Sequence, residues 1–434
     1  MHLKSSLCAA VILLACPRLF AGGPLFTCNG RPVLYDITSP VPYSPDLGPL
    51  GTLTNARATD LVDECFAVWS AVPTSSFTAA SAGHLADDVT ELNFADYYYA
   101  SGDGINPVVF DTDGAIIDSL MGIGASNDII GFAGSDPDYS TCTYTGGLAL
   151  LNGKFSTYFT YEQFKATFVH EFGHFIGLDH CQINAQYAHD GSVQNDVYIP
   201  TMFPTATDDD TSLGQLNPDD TAALTALYPA SETVVNSTYG KISGTVTWKS
   251  GGPVLGANVV AQKTGDEDMS RFSCVSDYLE QYTGAYDIPV TPGSYRVYIE
   301  PVLNRFTGGS SVGPYAESLW SPSFTDRVAA AYYAGSVSVS AGETVSGIDF
   351  TAEPASGLCP AEAVMENDTE SIGALRRFRD SAMNATPAGR SLVGLYYRSA
   401  PAVTAALMRR PKARQLCRLL LARMMPVIRL FAGI

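Results

Sequence analysis

The sequence of 434 residues predicts an α+β protein with three parts. The three parts are distinguished by their patterns of apolar, turn-forming and charged residues. Helical and strand-like patterns are mixed up to residue 230. Short β-type runs separated by Gly and Pro follow, at a spacing typical of an all-β sandwich. The remainder is basic and helical in pattern. We expect a mixed domain over 23–230, a linker over 231–238, a β-sandwich over 239–352 and a helical region over 353–434.

The composition indicates a globular protein with an acidic body. Hydrophobic residues make up 46% of the chain and charged residues 16%, which argues against disorder. The formal charge is −19; residues 353–434 carry +6, which leaves −25 on the residues before them. A negatively charged surface repels phosphate groups, so no nucleic acid is expected as a partner. Calcium, which prefers hard oxygen ligands, suits an acidic surface.

The N-terminus has the parts of an export signal. A basic start, MHLK, precedes LCAAVILLAC, which is too short to span a bilayer, and then the small residues of LFAGG. We expect a signal peptide over 1–21, with cleavage near Ala21. The alternative is a bacterial lipoprotein box, LLAC, that would leave Cys16 lipidated. Either route predicts a secreted or cell-surface protein.

Seven cysteines remain after the signal peptide, and export permits disulfides. Two plausible pairs are Cys28–Cys65 and Cys142–Cys181, the second of which would brace the histidine-rich segment. An odd number leaves at least one thiol without an intramolecular partner. The sequence alone does not determine the connectivity.

Three segments of the first part have helical signals. ARATDLVDECFAVWSAV has apolar residues at helical spacing. TYEQFKATFVHEFGHFI begins with a capping box formed by Thr160 and Gln163. NPDDTAALTALYP begins at Asn217 or Asp219 and stops before Pro229.

Three of the six histidines lie in FVHEFGHFIGLDH. His170 and His174 are four residues apart and therefore share one helix face. Gly177 can adopt the left-handed conformation that ends a helix, which would return His180 to the other two histidines. Three imidazoles with a fourth position open to water are typical of a catalytic zinc site. Glu171 lies where a carboxylate can reach the metal's water without being a ligand.

A weaker signal for a metal lies in FDTDGAIID. Asp111, Asp113 and Asp118 surround Gly114, and oxygen ligands near a glycine turn suit calcium. The segment is not an EF-hand, because no suitable Glu closes the loop. A solvated Asp-Gly turn explains the pattern equally well.

The stretch HEFGHFIGLDH resembles the zinc signature of the metzincin metalloproteases, HExxHxxGxxH. IPTMFPT is similar to the methionine turn of that family, a role that falls on Met202. CFAVWSAVPTSSF and SLGQLNPDDTAALTALYP resemble the first and last helices of its matrixin branch, so the resemblance covers Arg31 to Pro229. It implies a twisted mixed sheet, about three helices and a zinc cleft.

The resemblance implies an endopeptidase that acts on a protein or peptide held extended along the cleft. Zinc on His170, His174 and His180 would polarise the scissile carbonyl and acidify a water molecule. Glu171 would take the water's proton and deliver it to the leaving amine. The other class considered is a non-catalytic adhesion or binding protein on the same scaffold. The intact Glu171 argues against that class.

Some features depart from the metzincin pattern. Pro204 stands two residues after Met202, where some members have a tyrosine ligand, and this favours a matrixin-like site. The segment between His180 and Met202 is longer than is usual in matrixins. Only His84 and His189 remain in the mature chain, and we expect both to be surface residues rather than ligands of a second zinc.

The last two parts carry resemblances of their own. ISGTVTWKSGGPVLGANVVAQ and GAYDIPVTPGSYRVYIEP resemble the carboxypeptidase regulatory-like domains of secreted proteins, which are usually accessory. The last part is similar to C-terminal regions of exported bacterial proteins. Arginines interrupt its apolar residues, so a spanning helix is not expected. An amphipathic helix on a membrane or partner, or a tail docked on its own protein, fits equally well.

Overall fold

The structure of the chain is a computed structural model. The expected signal peptide, its cleavage point near Ala21 and Cys16 lie outside the described residues. The residues that the structure describes are 23–98, 104–208, 210–279, 281–303, 312, 328–353 and a part of 360–432.

The described residues form a mixed α+β structure with several sheets, as the sequence predicts. The helices are α1 (Asn55–Ser70), α2 (Phe94–Tyr98), α3 (Ala115–Met121), α4 (Tyr161–Ile176), α5 (Pro218–Leu227), α6 (Glu232–Thr238), α7 (Pro360–Met365) and α8 (Pro411–Ala432). The strands up to residue 230 are β1 (Thr27–Cys28), β2 (Arg31–Pro32), β3 (Val41–Pro45), β4 (Ala79–Ser81), β5 (Pro107–Asp111), β6 (Gly131–Asp138) and β7 (Thr143–Asn152). The later strands are β8 (Gly240–Trp248), β9 (Ala257–Lys263), β10 (Arg271–Val275), β11 (Ala285–Val290), β12 (Gly293–Pro301), β13 (Ala331–Tyr332), β14 (Val337–Val339), β15 (Thr344–Val345) and β16 (Phe350–Ala352).

A five-stranded sheet organises the first region, residues 23–230. Its strand order is β4-β3-β5-β7-β6. The first four strands run parallel, and β6 is antiparallel to β7 at one edge. Helix α4 contacts both β6 and β7, and α1 packs against α4. The histidine-bearing helix therefore lies beside an edge strand of the sheet.

Local signals in the sequence explain where α4 begins and ends. Thr160 and Gln163 form the expected capping box, and Gly177 ends the helix with a φ of +99°. The indole N–H of Trp69 in α1 donates to the carbonyl of Val169 at 2.8 Å, which ties the two helices together. One face of α4 is buried through four aromatic side chains. These are Phe164, Phe168, Phe172 and Phe175.

Helix α5 also begins where the sequence predicts. Asn217 is its N-cap, and Asp220 completes a capping box with it. Pro218 occupies the first turn, where a missing N–H costs nothing. The segment 231–238, expected to be a linker, contains the short helix α6.

The described residues of the second region, which spans 239–352, form two sheets. A five-stranded sheet has the order β10-β9-β12-β13 with β14 also on β12, and a four-stranded sheet has the order β11-β8-β15 with β16 also on β8. Ile242 and Ile288 from the smaller sheet and Val259 and Val297 from the larger one belong to one buried cluster. That cluster continues into the first region, so the two regions share apolar packing.

The described part of the C-terminal region is helical, as the sequence predicts. Helix α8 is the longest element there, and its buried Met425 and Ile428 pack against Ala374. No helix among the described residues is both long and apolar enough to cross a membrane.

Candidate metal centre

Helix α4 and the turn after it bring the three predicted ligands together. His170 and His174 lie one turn apart on α4, which ends at Gly177. A side chain at Gly177 would be strained by its positive φ, and its Cβ would lie 2.7 Å from the Tyr144 hydroxyl oxygen. The chain reverses at this glycine and returns His180 to the other two histidines.

The three histidines form a compact group of nitrogen atoms. Their ligand atoms all lie within 4.8 Å of one another, and the Nε2 atoms of His174 and His180 are 3.0 Å apart. Nitrogen atoms so spaced can surround a metal ion with bonds of about 2.0–2.1 Å, as zinc forms. Within the described ranges, this is the one group of three or more His, Cys, Asp or Glu side chains that could hold a metal.

Backbone carbonyl groups orient two of the imidazoles. Nδ1 of His170 lies 2.6 Å from the oxygen of Thr201, and Nδ1 of His174 lies 2.9 Å from the oxygen of Leu178. We assign the proton to Nδ1 in each case, so that Nε2 faces the centre of the group. Burial lowers the pKa of both histidines, that of His174 to about 3. Both are therefore neutral at neutral pH, as metal ligation requires.

Glu171 lies beside the histidines and against the edge strand β6. A Cβ placed on Gly131 of β6 would be 3.8 Å from Cγ of Glu171. Burial raises the pKa of Glu171 to about 7, and a backbone hydrogen bond from Ala133 partly opposes that rise. A carboxyl group with a pKa near 7 can both accept and release a proton at neutral pH.

Met202 packs against α4 between its two histidines. It is buried, and a Cβ on Gly173 would lie 2.2 Å from its sulfur. The oxygen of Met202 accepts a hydrogen bond at 2.9 Å from the amide of Cys181, the residue after the third histidine. The methionine therefore contacts the helix through its side chain and the third-histidine segment through its backbone.

Two buried carboxylates at the start of α5 hold the segment around Met202. Asp220 accepts hydrogen bonds from the amides of Thr201 at 2.8 Å and Met202 at 3.0 Å. Asp219 accepts one from the amide of Ser273, in the second region, at 2.7 Å. Burial raises the pKa of Asp219 to about 7 and that of Asp220 to about 6. From the sequence, Asp219 is predicted only as a possible helix cap, and the signal for its buried role is the pair of adjacent acids before an apolar run.

The three candidate calcium ligands do not converge. Asp111 and Asp113 accept hydrogen bonds from backbone amides in the first turn of α3. Asp118 accepts one from the amide of Ser126 at 2.8 Å. These carboxylates accept hydrogen bonds from local backbone amides, and among the described residues they are not a group of three or more side chains that could hold a metal. A calcium site that also uses backbone oxygens stays a prediction.

The cysteine pairing differs from both expected pairs. The structure joins Cys28 to Cys142, with an S–S distance of 2.06 Å. Cys65 is a buried free thiol on α1, and Cys181 is a buried free thiol packed near Val260 of the second region. Both expected pairs were wrong because the hairpin of β1 and β2 lies next to the start of β7, which places Cys28 beside Cys142.

The remaining two histidines lie apart from the metal-binding group. Nε2 of His84 is 3.2 Å from the hydroxyl of Thr59, and Nε2 of His189 is 3.4 Å from the hydroxyl of Thr205. Both pairs are solvent-exposed, as we expect for surface histidines.

No model of a protein family matches this sequence, and no curated protein matches it either. The site is a three-histidine group, at HExxHxxGxxH spacing, that could bind a metal ion. It lies in a mixed α+β structure, between a helix and the edge of a sheet.

Proposed function

We propose that this protein is a zinc-dependent endopeptidase with a matrixin-like metzincin domain over 23–230. The observation that carries the proposal is the convergence of His170, His174 and His180 beside the carboxyl group of Glu171. Three imidazoles suit zinc, and a three-nitrogen set leaves a position for water or substrate. We further propose that residues 239–352 are a β-sandwich of the carboxypeptidase regulatory-like type.

The proposed reaction depends on a proton carried by Glu171. Zinc, when bound, supplies a Lewis acid that polarises a carbonyl group and acidifies a water molecule. Glu171 takes the proton of the attacking water and passes it to the nitrogen of the amine that leaves. The amide of Ala133 holds the carboxyl group while it does so.

The strand β6 supports an extended peptide as the substrate. It lies at the edge of its sheet, and in the described structure it pairs with β7 on one side. The free backbone groups of an edge strand can pair with an added strand. A peptide bound along Gly131–Asp138 would run past Glu171, whose Cγ lies near Gly131.

We propose that the protein acts outside the cytoplasm. The Cys28–Cys142 disulfide supports this, since disulfides persist in oxidising compartments.

We also propose that α8 attaches to anionic membranes. It exposes Leu416, Leu419 and Leu420 next to the exposed Arg418, a combination that suits a lipid surface. The protein should sediment with anionic vesicles but not with neutral ones, and Leu419→Ser/Leu420→Ser should abolish this. Equal sedimentation of that variant would refute the attachment.

Zinc removal and return tests the enzymatic proposal. The purified protein would be stripped with a chelator, reloaded with zinc and incubated with a mixed peptide library, with products identified by mass spectrometry. Cleavage should disappear with the metal and return with it. Zinc binding without cleavage of any peptide would contradict a general endopeptidase and favour a non-catalytic binding protein.

A further inference from the structure

The second region contacts the metal-binding group at the residue before its third histidine. The hydroxyl of Tyr278, which follows β10, donates to Oδ2 of Asp179 at 2.5 Å. Oδ1 of the same carboxylate accepts a hydrogen bond from the amide of His180 at 2.7 Å and lies 3.8 Å from its Nδ1. Tyr278 and Asp179 are both buried.

A carboxylate beside the outer nitrogen of a ligating histidine has two effects. When it is hydrogen-bonded to that nitrogen, it fixes the orientation of the ring and makes the ligand nitrogen more basic. Backbone carbonyls lie at the outer nitrogens of His170 and His174, whereas the carboxyl group of Asp179 lies 3.8 Å from the outer nitrogen of His180 and holds this residue through its backbone amide. The rotation of that carboxylate is restricted by Tyr278, so the tyrosine can influence the metal without touching it.

The segment after His180 is also held by the second region. The amide nitrogen of the Gln182 side chain donates to Glu300, and its oxygen accepts from the amide of Leu303 at 2.8 Å. The side chain of Asn184 donates to the carbonyl of Asp268 at 2.8 Å. The second region therefore forms hydrogen bonds with residues on both sides of His180.

We propose that Tyr278 is a positioning residue of the metal site, which holds Asp179 in the orientation that fixes His180 for metal binding. The second region is then part of the site and cannot be removed without loss of metal affinity. This inference rests on the metal site of the proposed function, but it does not depend on peptidase activity.

The zinc affinity of the full-length protein tests the inference. Wild type, Tyr278→Phe and Tyr286→Phe would be compared by competition with a chromophoric chelator. Tyr286 is a matched control, since its hydroxyl donates to the carbonyl of Ile348 within the second region. Tyr278→Phe should bind zinc about 10-fold more weakly, the lower end of the cost of losing a direct partner of a ligand, because Tyr278 reaches His180 only through Asp179. Tyr286→Phe should keep the wild-type affinity.

A double-mutant cycle tests whether Tyr278 acts through Asp179. In an Asp179→Ala background, which removes the acceptor of the Tyr278 hydroxyl, Tyr278→Phe should cause no further loss of affinity, because the two residues act as one unit. The visible spectrum of the cobalt-loaded protein should shift in Tyr278→Phe and not in Tyr286→Phe, since it reports ligand geometry. Melting of the metal-free proteins by circular dichroism would show that the variants are folded.

The outcomes separate this inference from the proposed function. Wild-type zinc affinity in Tyr278→Phe, or fully additive losses in the cycle, would overturn the role of Tyr278 and leave the metal site intact. Failure of the wild-type protein itself to bind zinc would overturn both.

Discussion

The carbonyl oxygen of Thr201 lies 2.6 Å from Nδ1 of His170, so the segment that carries Met202 also orients a metal ligand. Asp220 fixes this segment, because its carboxylate accepts hydrogen bonds from the amides of both Thr201 and Met202. A change at Asp220 should therefore reach the metal through the backbone, although Asp220 is not itself a ligand.

Replacing Asp220 with alanine should lower both stability and zinc affinity. The substitution leaves the amides of Thr201, Met202 and Asn217 without this acceptor. We expect the free energy of unfolding to fall by about 3 kcal/mol or more, from the cost of buried unsatisfied amides. Urea unfolding and chelator competition would measure the two effects. Asp36→Ala, which removes one acceptor on an exposed turn, is the control and should change neither the stability nor the zinc affinity. Unchanged stability and zinc affinity in Asp220→Ala would contradict the role of Asp220 in holding this segment.

Gly177→Ala should disturb the turn that returns His180 to the site. A left-handed alanine costs about 1–2 kcal/mol, and its Cβ would also meet the Tyr144 ring and hydroxyl. Gly191 is a matched control, because its φ is +79° but a Cβ there would have nothing within 4 Å. Thermal melting and zinc affinity should both fall more in Gly177→Ala than in Gly191→Ala. Equal losses would mean that the contact with Tyr144 contributes nothing.

The buried carboxyl group of Asp219 should make stability depend on pH. Burial, with a contribution from Asp220, raises its pKa from 3.8 to about 7 in the folded protein. The folded state therefore binds a proton more tightly than the unfolded state, and stability should fall as pH rises from about 4 to 7. Cys181 is the other titratable group that acts on this carboxyl.

Asp219→Asn removes this titration and keeps an oxygen for the amide of Ser273. Urea unfolding of the metal-free proteins at pH 5 and pH 8 would measure the difference. The wild type should lose more stability than the variant between these two pH values, by on the order of 1 kcal/mol or more. Parallel pH profiles for the two proteins would refute the assignment.

Reduction of the Cys28–Cys142 bond should destabilise the protein. The bond joins residues separated by 114 positions, so it restricts a large part of the unfolded chain. A loss of about 2–4 kcal/mol is typical of such a bond. Urea unfolding with and without a reductant would measure it, and the Cys28→Ser/Cys142→Ser variant should be insensitive to the reductant. A reductant effect of equal size in that variant would point to another disulfide.

Local features of the site could be predicted from the sequence. The start of α4 at Thr160, its end at Gly177 and the shared face of its histidines follow from capping and helical periodicity, which act over a few residues. The mixed α+β pattern follows from the same kind of signal. These features agree with the structure because no distant contact is needed to form them.

Non-local contacts could not be predicted in the same way. The sequence gives no sign that Tyr278 meets Asp179 or that Cys28 pairs with Cys142, because both contacts depend on how separate elements pack. The possible calcium site is a case in which the sequence pattern leaves two uses open. Aspartates around a glycine, such as Asp111 and Asp113, serve equally well to cap a helix, and the sequence pattern does not distinguish the two uses.

If Glu171 moves the proton in a zinc-dependent hydrolysis, the Glu171→Gln variant should retain zinc and lose turnover. Glu162→Gln, an exposed glutamate at the start of the same helix, is the matched control. With equal zinc content in all three proteins, Glu171→Gln should cleave peptide about 10²- to 10⁴-fold more slowly than wild type, and Glu162→Gln should cleave at the wild-type rate. Wild-type turnover by zinc-loaded Glu171→Gln would contradict the account.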